Sequence, residues 1–133
     1  MIQINNLSKI FQTEEVETKA LNAVSITINQ GDFVTIMGAS GSGKSTLLNI
    51  VGLLDSASSG SYELLNQEMM GLKEQQKSKF RKENIGFVFQ NFNLIDELSV
   101  YDNIELPLIY NNIPASERKQ KVEKIADRLG ISH

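Results

Sequence analysis

The sequence contains no cysteine and no tryptophan, a single histidine at its last position, His133, and two prolines. Without cysteine there is no disulfide framework and no thiolate metal site. One histidine excludes a histidine-based metal centre. No apolar run approaches the roughly 20 residues that a membrane-crossing helix needs. Met1-Ile2-Gln3-Ile4-Asn5 lacks the basic-then-apolar layout of a secretory leader. The expectation is therefore a soluble, cytoplasmic chain, in which the sequon Asn6-Leu7-Ser8 stays unmodified. An excess of positive charge is missing too. Lys plus Arg number 13 against 16 Asp plus Glu, a net charge of −3, which argues against nucleic acid as the main partner.

What is present is a globular composition: 133 residues, 41% apolar, enough for one small domain with a real core. There are no internal repeats and no low-complexity segment. One stretch dominates, Gly38-Ala39-Ser40-Gly41-Ser42-Gly43-Lys44-Ser45-Thr46. Gly38, Gly43, Lys44 and Ser45 fit G-x-x-x-x-G-K-[ST], the phosphate-binding P-loop. Asp32 to Met37 before it reads as a buried strand, and Leu47 to Leu54 after it as a buried helix. Strand, glycine loop, helix is the context that the motif requires; a flexible Gly/Ser linker would not be flanked this way.

The chemistry explains the residue types. A triphosphate carries several negative charges, and the loop must point backbone N–H groups at them. Gly38, Gly41 and Gly43 permit close approach and tolerate positive φ. The helix that follows offers free N–H groups and the positive end of its dipole. Lys44 reaches the β- and γ-phosphates, Ser45 ligates Mg²⁺ through its hydroxyl, and Thr46 is a candidate donor to the α-phosphate.

Taken in order, the chain opens with a first strand expected to end near Ser8, and Phe11 follows in a polar loop reaching Lys19. Leu21 to Ile28 alternates as a second strand. Asn29-Gln30-Gly31-Asp32 is a turn, which predicts antiparallel pairing of the second strand with the strand at Phe33. Ser61 to Leu65 reads as another short strand. Glu74 to Glu83, with Lys77, Lys79, Arg81 and Lys82, reads as a solvated helix anchored by Phe80. Ile85-Gly86-Phe87-Val88-Phe89 reads as a buried strand. Ser99-Val100-Tyr101-Asp102 fits a capping box and opens a helix to Tyr110, interrupted or kinked by Pro107. A final helix starts at Pro114, with Val122, Ile125, Ala126 and Leu129 on one face and Gly130 as its C-terminal cap. Glu117 and Lys121 are spaced to pair on its surface.

With these residues in place, the chain resembles the first part of an ABC transporter ATP-binding subunit. The resemblance rests on Gly38 to Thr46, on Gly52-Leu53-Leu54-Asp55 with Ser59-Gly60, and on Ile85 to Leu94. Leu98 to Ile104 and Leu106 to Tyr110 extend it. Ala20-Leu21 and Leu106-Pro107-Leu108 resemble the subgroup that serves lipoprotein-release and macrolide-export systems. The resemblance implies an α/β fold: a P-loop NTPase of the ABC type, incomplete, with an N-terminal antiparallel β-subdomain, part of the nucleotide-binding core and the start of a helical subdomain. Residues 1–90 are expected to form the partial core with its β-subdomain, and 91–133 the start of the helical subdomain. Phe11 stands where the family stacks an aromatic on adenine, usually a tyrosine; the plain alternative is a semi-buried phenylalanine. Gln90 stands at the Q-loop, where the family's glutamine contacts Mg²⁺ or the attacking water and couples to the membrane partner. Its amide binds metal through oxygen and donates through nitrogen.

The implied function is ATP binding with Mg²⁺ and, in a full-length protein, hydrolysis that drives export or extraction. The implied partners are a permease subunit and a second ATP-binding subunit, and the implied location is peripheral on the inner face of the membrane. Weighed against it are an ABC-type ATPase without transport and a nucleotide-binding stub without catalysis. The sequence shows no Leu-Ser-Gly-Gly-Gln signature, no switch histidine at His133 and no Walker B strand; Asn93 breaks the apolar run in Phe92-Asn93-Leu94-Ile95-Asp96-Glu97. Phosphoryl transfer needs the phosphates held, the metal held and a water oriented. The expectation is thus an N-terminal part of a subunit of over roughly 200 residues, inactive and marginally stable alone.

Overall fold

The computed structural model describes residues 1–13 and 15–132. His133 lies outside the described residues. The chain forms two compact units, residues 1–87 and 88–133.

The first unit is built on two long strands, β1 (Ile2–Gln12) and β2 (Glu17–Ile28), paired antiparallel. β3 (Ser59–Leu64) pairs with β1, and the short β4 (Gln67–Glu68) with β3, giving a sheet in the order β2-β1-β3-β4. Both long strands exceed the sequence expectation. β1 does not end near Ser8, and Phe11 lies inside it, opposite Thr18 of β2. The cause is a set of bulges that let the ladder continue through polar residues. Asn6 and Ala23 take positive φ, 48° and 49°. The Asn6 N–H donates to Ser25 Oγ and the Ala23 N–H to Ser8 Oγ, each at 2.9 Å, so hydroxyls replace ladder partners at these breaks.

The sheet's inner face supplies Ile4, Leu7, Leu21, Tyr62 and Leu64 to a core completed by Leu47, Ile50, Leu53 and Met69. Leu47 and Ile50 come from α1 (Lys44–Val51), whose apolar residues at three-residue spacing face the sheet. The buried Tyr62 donates its hydroxyl to the Val51 carbonyl at 2.6 Å, tying sheet to helix.

α2 (Glu74–Asn84) departs from a purely solvated helix. Phe80 packs on the core as expected. Two of its cations turn inward, however. The buried Lys77 donates to Ser56 Oγ, and Arg81 donates to the Leu53 carbonyl while pairing with Glu74 at 2.8 Å. They hold the loop that leaves α1.

Two expected strands are absent. Residues 33–37 and 85–89 carry no strand among the described residues, and β2 pairs with β1 rather than with the segment at Phe33. Phe33 is 94% exposed and Met37 86%. The apolar composition of these runs suits a parallel strand flanked on both sides. A strand needs a neighbouring strand to pair with, and the one sheet among the described residues, β2-β1-β3-β4, includes neither run.

The second unit contains α3 (Val100–Tyr110) and α4 (Ala115–Leu129). Ser99 caps α3, accepting from the Asp102 N–H at 3.1 Å. The helix runs through Pro107 to Tyr110 rather than being interrupted there. α4 buries Val122 and ends at Gly130 in the left-handed region, φ 70°. Glu117 and Lys121 pair at 2.7 Å on its surface. Arg118 crosses to Glu105 of α3 at 2.8 Å. Among the described residues no helix is long and apolar enough to cross a membrane.

Candidate functional site

The loop Gly38–Gly43 joins the exposed Phe33 segment to α1. Gly43 is the residue before the helix, at φ 88°, and Gly41 has φ 77°. These are left-handed conformations that glycine adopts without strain. Gly38 is different, because its φ is not positive. A Cβ there would lie 2.7 Å from Ser42 Oγ, so that hydroxyl would have to rotate aside.

The first helical hydrogen bond of α1 runs from the Leu47 N–H to the Gly43 carbonyl at 2.9 Å. The amides of Lys44, Ser45 and Thr46 precede it and belong to the turn whose N–H groups have no intrahelical acceptor. They carry the positive end of the helix dipole. Lys44 arches back over the loop, its Nζ donating to the carbonyls of Gly38 at 2.9 Å and Ala39 at 2.7 Å. The ammonium is therefore held against the loop's own carbonyls.

A cleft of about 280 Å³ opens beside this loop. Ser40, Gly41 and Gly43 to Thr46 line one side, and Thr18, Lys19 and Ala20 of β2 line the other. The β2 contribution was not anticipated. It arises at a bulge: Lys9 pairs with Leu21 and Ile10 with Lys19, so Ala20 is the extra residue. The nearest sequence signal was Ala20-Leu21, which marks the subgroup but not a wall of the site.

Phe11 faces Thr18 across the strand pair and is 46% exposed, which places an aromatic ring next to the cleft wall. Ala39 and Ser42 belong to the loop without lining the cleft. Gln90 lies in the second unit, on an exposed bend. The candidate residues thus divide: Phe11 and the P-loop share the first unit, and Gln90 does not.

The donor set suits a polyphosphate with a hard cation. The helix-start amides, the two lysines Lys19 and Lys44, and the hydroxyl-bearing Ser45 and Thr46 border one cleft. No group of three or more His, Cys, Asp or Glu side chains that could hold a metal occurs among the described residues. A divalent ion here would share ligands between Ser45 and phosphate oxygens, the habit of Mg²⁺. A larger cleft of about 590 Å³ lies in the second unit, lined by Val100, Tyr101, Ile104 and Val122 among others, and it holds no comparable set of donors.

The profile of the ABC transporter family matches residues 21–133. The chain belongs to the ABC transporter family. It is 40% identical over 131 residues to the macrolide export ATP-binding/permease protein MacB of Azoarcus sp. (strain BH72), covering 98% of this chain and 20% of that protein. It is 41% identical over 131 residues to the bacitracin export ATP-binding protein BceA of Halalkalibacterium halodurans, covering 98% of this chain and 52% of that one. Among solved structures, the dimeric post-hydrolysis state of the ATP-binding cassette MJ0796 bound to ADP and Pi superposes with a TM-score of 0.87 at 40% identity. That match covers 93% of this chain and 55% of the cassette. The chain thus spans about half or less of the length of these relatives. Its fold is that of part of an ABC ATPase cassette, the antiparallel N-terminal sheet with the P-loop helix and the first helices that follow.

Proposed function

We propose that this chain is the nucleotide-binding part of an ABC-type ATPase that takes Mg-ATP at its P-loop and, in a full-length protein, hydrolyses it to drive export or extraction by a membrane partner. The observation that supports this most is the loop itself. Lys44 is drawn over the loop carbonyls, and Gly41 and Gly43 hold left-handed turns that lead into the amides of α1. Lys44 binds the β- and γ-phosphates, the loop amides from Ala39 to Gly43 cradle them, and Thr46 donates to the α-phosphate. Ser45 would hold Mg²⁺ through its hydroxyl, and the bound ion would supply neutralisation of charge on the phosphate oxygens. Phe11 stacks on the base. Gln90 orients the attacking water or contacts the ion, and couples the site to the partner.

The carboxylate that activates water and the signature of a second subunit are assigned to regions outside this sequence. Residues 1–90 act as the partial ATP-binding core and 91–133 as the start of the helical subdomain that docks a permease. A pair of ATP-binding subunits works on the inner face of the membrane. The names of the relatives support export: macrolide export for MacB and bacitracin export for BceA.

The test is nucleotide binding by the purified protein with Mg²⁺, measured by titration calorimetry. Wild type is expected to bind ATP, and Lys44→Ala to lose at least about tenfold in affinity, a loss of about 1.4 kcal/mol. Unchanged affinity in Lys44→Ala overturns the site assignment.

A further inference from the structure

Lys9 and Phe11 are two residues apart on β1 and so project from the same face of the strand. The Lys9 Nζ sits over the Phe11 ring, 4.9 Å from its centroid. The same ammonium donates to Asp55 Oδ1 at 2.7 Å and to the Ser56 carbonyl at 2.7 Å. The Lys9 side chain is only 12% exposed. It is therefore not a loose surface cation but a pinned one. It joins β1 to the loop that leaves α1, and α1 is the helix whose first turn borders the phosphate cleft. That loop is itself held from below by Lys77 on Ser56 and by Arg81 on the Leu53 carbonyl.

A lysine in this place has two effects on the ring. It occupies one face of Phe11, so a planar ligand can stack only on the other. It also ties the ring to the segment that follows the P-loop helix, so base platform and phosphate cradle share one frame. Phe11 is 46% exposed, and among the described residues Lys9 is the cation over its ring. We propose that Lys9, clamped by Asp55, is a positioning residue for the nucleotide base: it fixes the Phe11 ring so that adenine stacks on the face away from the ammonium. This rests on the reading of Phe11 as the base platform.

The experiment compares two probes on the purified protein, ATP and inorganic tripolyphosphate, at fixed salt and Mg²⁺. Tripolyphosphate reports the phosphate cradle alone, so the ratio of the two affinities isolates the base. Lys9→Met keeps the aliphatic stem and removes the charge. It is expected to weaken ATP binding about two- to fivefold, the range of a cation–π contact, and to leave tripolyphosphate unchanged. Lys9→Arg is expected to recover the wild-type ratio. A merely structural role would weaken both probes together, and that result overturns the proposal, as does an unchanged ATP affinity in Lys9→Met. Should Lys9→Met fail to fold, Asp55→Asn releases the same clamp and must give the same split between probes; no split overturns the proposal. Phe11→Ala tests the underlying reading separately. A wild-type ratio in Phe11→Ala sinks the base platform itself, whereas a collapsed ratio there with a preserved one in Lys9→Met sinks only the role of Lys9.

Discussion

Gly43 of the P-loop presses on Ala20 of β2 so closely that a Cβ on the glycine would meet the Ala20 carbonyl oxygen at 2.4 Å. The bulge at Ala20 and the left-handed turn at Gly43 are thus two halves of one contact, which seats the phosphate loop on the hairpin. Gly43→Ala adds a steric clash with backbone to the left-handed strain of about 1–2 kcal/mol. Gly41→Ala carries the strain alone, since nothing lies within 4 Å of its Cβ position. Gly43→Ala is therefore expected to lose at least about tenfold in ATP affinity and Gly41→Ala clearly less. Calorimetric titration of both variants checks the order, and equal losses would refute the steric account.

Tyr62 tests the link between sheet and helix. Its hydroxyl is buried and donates to the Val51 carbonyl. Burial holds the phenol well above its ordinary value, so it is a neutral donor at neutral pH. Tyr62→Phe leaves that carbonyl without its partner. A loss of about 1–2 kcal/mol is expected in urea unfolding, with ATP affinity unchanged because the hydroxyl does not touch the cleft.

The Lys9–Asp55 pair predicts a pH dependence with a definite sign. Burial pushes the Asp55 carboxyl up. The Lys9 ammonium, the Ser56 amide and Lys77 outweigh it, so the folded value lies below the ordinary one. A depressed carboxyl stabilises the fold fully above its unfolded value, near about 3.9, and loses that contribution as pH falls through the folded value. The difference in urea midpoint between wild type and Asp55→Asn is expected to stay constant from neutral pH down to about pH 5 and to shrink in stronger acid. A difference that grows on acidification would contradict the assignment.

Ser99 governs the start of α3. Its Oγ accepts from the Asp102 N–H at 3.1 Å and bonds to Asp102 Oδ2 at 2.6 Å. Ser99→Ala is expected to destabilise the helix by about 1 kcal/mol, and Ser99→Thr to retain most of it. Amide exchange in residues 100–104 reads the effect directly. The first unit should show no change.

The parts of the fold legible in the sequence were those whose signals are local. The P-loop and the helix after it, the cap at Ser99, the spacing of Val122 with its neighbours and the Gly130 terminus each sit within one or two turns of chain. The strands at residues 33–37 and 85–89 were read from apolar composition, which reports a preference for burial but not whether a pairing partner exists. The length of β1 was missed because Ser8, Lys9 and Gln12 break the alternation, while the bulges and the Ser8 and Ser25 hydroxyls that sustain the ladder involve residues 15 to 19 positions apart. The wall of the cleft at Thr18 to Ala20 depends on that same register. The inward turn of Lys77 and Arg81 and the clamp of Lys9 on Asp55 span 21 to 46 residues. Charge alone made Lys77 and Arg81 look solvated, and only the fold shows what they and Lys9 bind.

The exposed run from Phe33 to Met37 has a consequence for handling these 133 residues by themselves. It is apolar and β-branched, free of charge and proline, and its backbone carries no ladder. Such a segment is a template for intermolecular pairing. Warmed solutions should therefore lose protein to association faster than it refolds. The apparent melting temperature would then rise with scan rate and fall with concentration, so for these residues studied alone the working stability is a half-life rather than an equilibrium.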